Sequence, residues 1–103
     1  MPSADGFIKS TAGGRFAATF VIDEIMFNFS GSFASSVPAF SCNTATLNYP
    51  SLKSISSTRS FEGRVGPSRV TLNLANGPAI NGVLDMPLSP GSTVSGSGVW
   101  TQN

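Results

Sequence analysis

The side chains equipped for acid–base chemistry in this sequence are five carboxylates: Asp5, Asp23, Glu24, Glu62 and Asp85. The chain has no histidine and a single cysteine, Cys42. That composition excludes a histidine-based triad, a histidine–cysteine pair and the usual zinc sites. Neither a GxxxxGKS/T nor a GxGxxG phosphate loop is present. Gly13-Gly14 and the run Ser95 to Gly98 (SGSG) lack the strand–loop–helix setting that a phosphate cradle needs. Two carboxyls about 5 to 9 Å apart are the equipment of glycoside hydrolysis. Asp23 and Glu24 are adjacent, so they point to opposite sides of a strand or into a solvated turn. Glu62 and Asp85 fall on the face opposite the core residues of their strands, and Arg64 and Arg69 fall there too. Cross-strand ion pairs on a wet face are the structural account of that set. The catalytic account makes Asp85 or Glu62 a general base in a polar cavity, with Arg64 or Arg69 clamping an anion.

Tyr49 and Trp100 are the large aromatics with a polar handle, and both fall near strand ends, where loops gather. A sugar site stacks a ring on such a side chain and fixes hydroxyls with neutral amides. Trp100 and Tyr49 with Asn48 and Asn81 are therefore the candidate ligand-binding set. The structural alternative is a Trp100 that plugs the end of a barrel. Asn28-Phe29-Ser30 matches a glycosylation sequon, but lies in the middle of a strand pattern.

Positioning these residues falls to short strands. The stretch Arg15 to Phe33 (RFAATFVIDEIMFNFSGSF) holds five of the eight phenylalanines. With a period of two, Phe16, Ala18, Phe20 and Ile22 share one face. Beyond Asp23-Glu24, the residues Ile25, Phe27, Phe29, Gly31 and Phe33 share a face. If Asp23-Glu24 is a two-residue turn, Ile22 faces Ile25, Phe20 faces Phe27 and Ala18 faces Phe29. Both apolar sets then land on one side, which a slip of one residue would destroy. Asp-Glu lacks the glycine or asparagine that tight hairpin turns favour, which leaves a longer loop as the alternative to the two-residue turn.

The other segments follow the same period. Residues 1–6 read as a loose leader, Phe7 to Thr11 as a short first strand, and Gly13-Gly14 as a turn. Phe40 to Tyr49 reads as a strand that Pro50 ends. Ser51 to Thr58 fits either an edge strand or one helical turn. Phe61, Gly63 and Val65 form an apolar face, as do Val70, Leu72 and Leu74. Ile80, Gly82, Leu84 and Met86 form another. Around Asn76-Gly77-Pro78 the faces match if Leu72 opposes Gly82 and Val70 opposes Leu84, so the loop is longer than two residues. Pro87 to Ser92 is irregular, and Thr93 to Thr101 is the last strand. No segment carries a helical stripe of ten residues or more. The chain is expected to be all-β: one antiparallel barrel or sandwich of seven to eight short strands, with the barrel favoured because glycines at 63, 82, 96 and 98 suit a sharply curved sheet.

Composition narrows the function classes. The 103 residues suffice for one domain, 1–103. Charged residues make up 11% of them, against about 25% in typical soluble domains. Four arginines and two lysines are scattered without a basic block, which argues against nucleic acid. No apolar run reaches the roughly 18 residues of a membrane helix. The opening segment MPSADGFIKS has no secretion-signal pattern, so the compartment is open: cytoplasmic, or exported without a visible signal. A net charge of +1 offers little repulsion between copies, which favours a homo-oligomer. Cys42 alone can make no intrachain disulfide and reads as a small buried hydrophobe. No cofactor and no metal are expected. The sequence points first to a non-enzymatic binding module for a glycan or another neutral small molecule. Two alternatives are a self-assembling structural protein and a small barrel enzyme with a buried carboxylate as general base.

Overall fold

The computed structural model describes residues 2–11, 14–35 and 37–102. Eight strands make up the fold: β1 (Ser3–Thr11), β2 (Arg15–Ile22), β3 (Ile25–Phe33), β4 (Ser41–Asn48), β5 (Thr58–Val65), β6 (Arg69–Leu74), β7 (Ala79–Val83) and β8 (Ser92–Gln102). One 3₁₀ turn, Leu52–Ser54, lies in the segment that fits either an edge strand or a helical turn. The strands close into an antiparallel barrel in the order β1-β2-β3-β8-β5-β6-β7-β4, with β4 pairing back onto β1. The barrel, rather than the sandwich, is the architecture.

This order is two Greek keys joined edge to edge. β1 to β3 run as a meander and β4 returns beside β1. β5 to β7 repeat the meander and β8 returns beside β5. The halves match in detail. Gly6 of β1 and Gly63 of β5 oppose Phe20 and Leu72, the central core residues of the next strands. A Cβ on Gly6 would sit 1.7 Å from the Thr19 carbonyl oxygen, and one on Gly63 would sit 1.8 Å from that of Thr71. Only glycine lets the neighbouring backbone approach so closely. The first turn of each half holds a glycine in the left-handed region, Gly14 (φ 75°) and Gly66 (φ 83°).

The hairpin register is Ile22 opposite Ile25, Phe20 opposite Phe27 and Ala18 opposite Phe29. The turn is two residues long even without glycine. Asp23 (φ 51°) and Glu24 (φ 68°) both take the left-handed conformation that matches the strand twist. Each such residue costs about 1–2 kcal/mol, which the buried pairs behind the turn offset. The two-residue turn and the register expected from the apolar faces are both present, although the turn lacks glycine and asparagine.

Three expectations are corrected. The leader is not loose from Ser3 onward. Ala4 is buried and pairs with Leu47, and the Pro2 carbonyl accepts the Tyr49 N–H. Between β6 and β7, Leu72 opposes Ile80 and Val70 opposes Gly82. The register is thus two residues tighter than expected, while the loop is longer than two residues as expected, with Leu74 N–H bonded to Pro78 O and Asn76 and Gly77 at positive φ. The shift is even, so the same residues still face inward. Met86 does not join the core: β7 ends at Val83, and Met86 is 77% exposed.

The interior is filled. Phe16, Phe29, Phe33 and Phe61 form an aromatic column, with Phe16 and Phe33 centroids 4.9 Å apart and Phe16 and Phe61 edge to face at 5.4 Å. The rings lie over glycines. A Cβ at Gly31 would meet Phe16 at 2.7 Å, and one at Gly98 would meet Phe29 at 2.7 Å. Space that β8 would take with side chains is occupied by rings from β2, β3 and β5.

Candidate functional site

The barrel has two ends. One carries the β2–β3 turn, Asn48, Tyr49 and Trp100. The other carries the starts of β4, β6 and β8 and the irregular segment 84–91. The candidate binding residues Tyr49, Trp100 and Asn48 gather at the first end, whereas Asn81 sits on β7 opposite Thr46 and Thr71. Tyr49 and Trp100 are buried, at 7% and 6% exposure, so neither offers a platform for a sugar ring. Trp100 instead packs on Phe29, with centroids 4.9 Å apart. Tyr49 is fixed by its N–H bond to Pro2 O.

The candidate catalytic residues are not brought together. Glu62 lies on β5 opposite Asn73 and Ser95, and Arg64 lies opposite Thr71 and Thr93. Arg69 opposes Val83 on β7. All three are exposed, and the residues opposite them are neutral, so the expected cross-strand ion pairs have no facing partner. Asp85 sits elsewhere, against β4. Its backbone N–H donates to Ser41 O at 2.9 Å, and its carboxylate accepts from Ser41 Oγ at 2.7 Å and from Asn43 N–H at 2.9 Å. The Asn43 N–H first, and the Ser41 hydroxyl second, hold this exposed carboxyl below its ordinary value. A general base works best with a pKa near the working pH, and these contacts push the other way. Beneath it, burial and then the Asp85 charge push the Cys42 thiol up to about 11. Among the described residues, no three histidine, cysteine, aspartate or glutamate side chains group as a metal site. Among the described residues, no helix is long and apolar enough to cross a membrane.

Beside Asp85 lies an open groove of about 500 Å³, lined by Ser10, Ala39, Phe40, Ser41 and the segment Met86 to Leu88. Its floor is rigid. Ser10 N–H and Oγ donate to Phe40 O at 2.9 and 3.0 Å, and Phe40 N–H donates to Ser10 Oγ at 2.6 Å. Its rim is held by Leu88 N–H on Pro67 O at 2.8 Å. Because the Ser10 and Ser41 hydroxyls donate within the protein, what the groove presents is mainly hydrocarbon and thioether. The sequence did carry a signal for it: Met86 and Leu88 are apolar residues in a proline-broken stretch that cannot be strand. Read with a period of two, however, Met86 falls on the same face as Ile80, Gly82 and Leu84.

Comparison of the chain with protein-family models, with curated proteins and with solved structures returned no match.

Proposed function

We propose that the protein is a non-enzymatic binding module that takes a neutral, mainly apolar small molecule in the groove lined by Phe40, Met86 and Leu88. The observation that supports it is an apolar groove on the outside of a barrel whose interior is already packed with phenylalanine rings. Its volume falls within the roughly 300–1,000 Å³ of small-molecule sites. Among the described residues, no ionisable side chain lines it. A glycan is the weaker choice within this class, because the two rings suited to stacking on a sugar are buried. Titration with the neutral probe N-phenyl-1-naphthylamine tests the reading. Saturable fluorescence enhancement is expected, with affinity lowered about tenfold, or 1.4 kcal/mol, in Met86→Asp. Equal probe binding by parent and variant would remove the groove from consideration.

A second reading, assembly with another copy, is supported by the outer face of β2, β3 and β8. Val21 and Met26 face each other there and Val99 opposes Ser30, at 54%, 42% and 41% exposure. Thr19, Asn28 and Thr101 lie between them, so a patch of this size carries no charge to desolvate.

A further inference from the structure

The outer wall of the barrel holds a polar cleft over β5, with β6 on one side and β8 on the other. Glu62 lies between Asn73 of β6 and Ser95 of β8, its register partners on the two neighbouring strands. Ser60 shares the Glu62 face two residues earlier along β5. Ala75 closes the edge, its N–H donating to Ser60 O at 2.9 Å. Ser60, Ala75 and Ser95 are small, so the longer Glu62 and Asn73 stand around a hollow of about 280 Å³. It shares no lining residue with the groove at Phe40.

The side chains of Ser60, Glu62, Asn73 and Ser95 are exposed, and no hydrogen bond or ion pair engages them among the described residues. The charge of Glu62 therefore has no counter-charge. Arg64, on the same face of β5, reaches the other way. Its Nη2 lies 3.0 Å from where a Cβ on Gly91 would sit, beyond the far end of the strand, where Val65 pairs with Ser92. Arg69 opens β6 opposite Val83, away from Asn73. Among the described residues, no cationic side chain lines the hollow.

We propose that this cleft binds a primary ammonium group, with the Glu62 carboxylate, the Asn73 side-chain carbonyl and the Ser95 hydroxyl as its acceptors. A primary ammonium carries three donors and one positive charge. The cleft offers three oxygens and one negative charge to match. An anion is repelled by Glu62. A quaternary ammonium is recognised by aromatic faces, and the Phe61 ring is turned into the core against Phe16. The volume is just under the roughly 300 Å³ at which small-molecule sites begin, which suits a head group on a short alkyl chain. This site does not rest on the groove at Phe40.

The experiment titrates n-butylammonium chloride against sodium chloride at constant ionic strength. It follows the ¹⁵N–¹H resonances of Glu62, Ser95 and Asn73, including the Asn73 carboxamide. Saturable shifts at these positions are expected, with the affinity lowered about tenfold in Glu62→Gln. Glu62 is exposed and has no partner among the described residues, so that variant keeps the fold. Asp23→Asn removes the same charge at the β2–β3 turn and is expected to bind as the parent does. Equal affinity in the parent and Glu62→Gln would overturn the site. Equal losses in Glu62→Gln and Asp23→Asn would reduce the binding to an effect of net charge and overturn it as well. Tetramethylammonium binding as tightly as n-butylammonium would overturn the three-acceptor arrangement. A response to glucose but not to the amine would overturn the ammonium assignment.

Discussion

Phe29 and Trp100 face each other across the β3–β8 ladder, and their rings meet at 4.9 Å and 49°. Trp100 is thus part of the core that seals the barrel, and its truncation opens a large cavity. Trp100→Ala is expected to lose about 3–5 kcal/mol of stability, read from urea denaturation. A loss below 1 kcal/mol would mean that the ring is dispensable to packing.

The matched glycines supply a second prediction. Gly6→Ala and Gly63→Ala each drive a methyl into a backbone carbonyl, at 1.7 and 1.8 Å from the oxygen. Gly14→Ala meets nothing closer than 3.7 Å and suffers only its φ of 75°. The first two are expected to destabilise by several kcal/mol, and Gly14→Ala by about 1–2 kcal/mol. Melting temperatures of the three variants should rank accordingly, and Gly14→Ala as the worst of the set would refute the packing argument.

Asp85 gives the pH dependence. Its folded pKa is lowered, chiefly by the Asn43 N–H and then by Ser41. A group of that kind binds fewer protons when folded, so its stabilisation is complete above the unfolded value. It is lost as pH falls through the folded one. The difference in melting temperature between the protein and Asp85→Asn should therefore be flat above about pH 5 and shrink below about pH 4. A difference that grows on acidification would reverse the sign assigned to this carboxylate.

Cys42 is fully buried, and its pKa of about 11 leaves almost no thiolate near neutrality. Ellman's reagent at pH 8 should react only as fast as the barrel opens, and at once in denaturant. Rapid labelling of the native protein would show that β4 opens locally.

For the uncharged face of β2, β3 and β8, light scattering at high micromolar concentration is expected to report a dimer, and Val21→Lys a monomer. A monomeric parent protein would leave that face without the second copy assigned to it.

The strands were legible because their inward residues are large and their alternation is strict. Phe16 to Ile22 and Ile25 to Phe33 fix the hairpin register by themselves. Barrel closure was readable only as an expectation drawn from glycines, since β3–β8 and β1–β4 pair residues far apart in sequence. The leader was misread because Asp5 and Gly6 resemble turn residues, while the carbonyl of Thr19 that makes Gly6 necessary is invisible in one dimension. Trp100 and Tyr49 were correctly placed near an end of the sheet. The burial of Trp100 depends on Phe29 and on the segment Ile55 to Ser57, which no spacing rule brings there. The groove escaped because Met86 obeys the period of β7 after β7 has ended.

The ring order also has a consequence for synthesis on the ribosome. When β1 to β4 have emerged they can form their Greek key, but β3 and β4 are then its open edges, because their outer partners are β8 and β7. Open edges are templates for strands of other chains. At about 5–20 residues per second, the interval before β8 arrives lasts several seconds. Until then a nascent chain of low charge exposes two rows of unpaired backbone. Stalled or truncated translation products, rather than the closed barrel, are where aggregation of this sequence would begin.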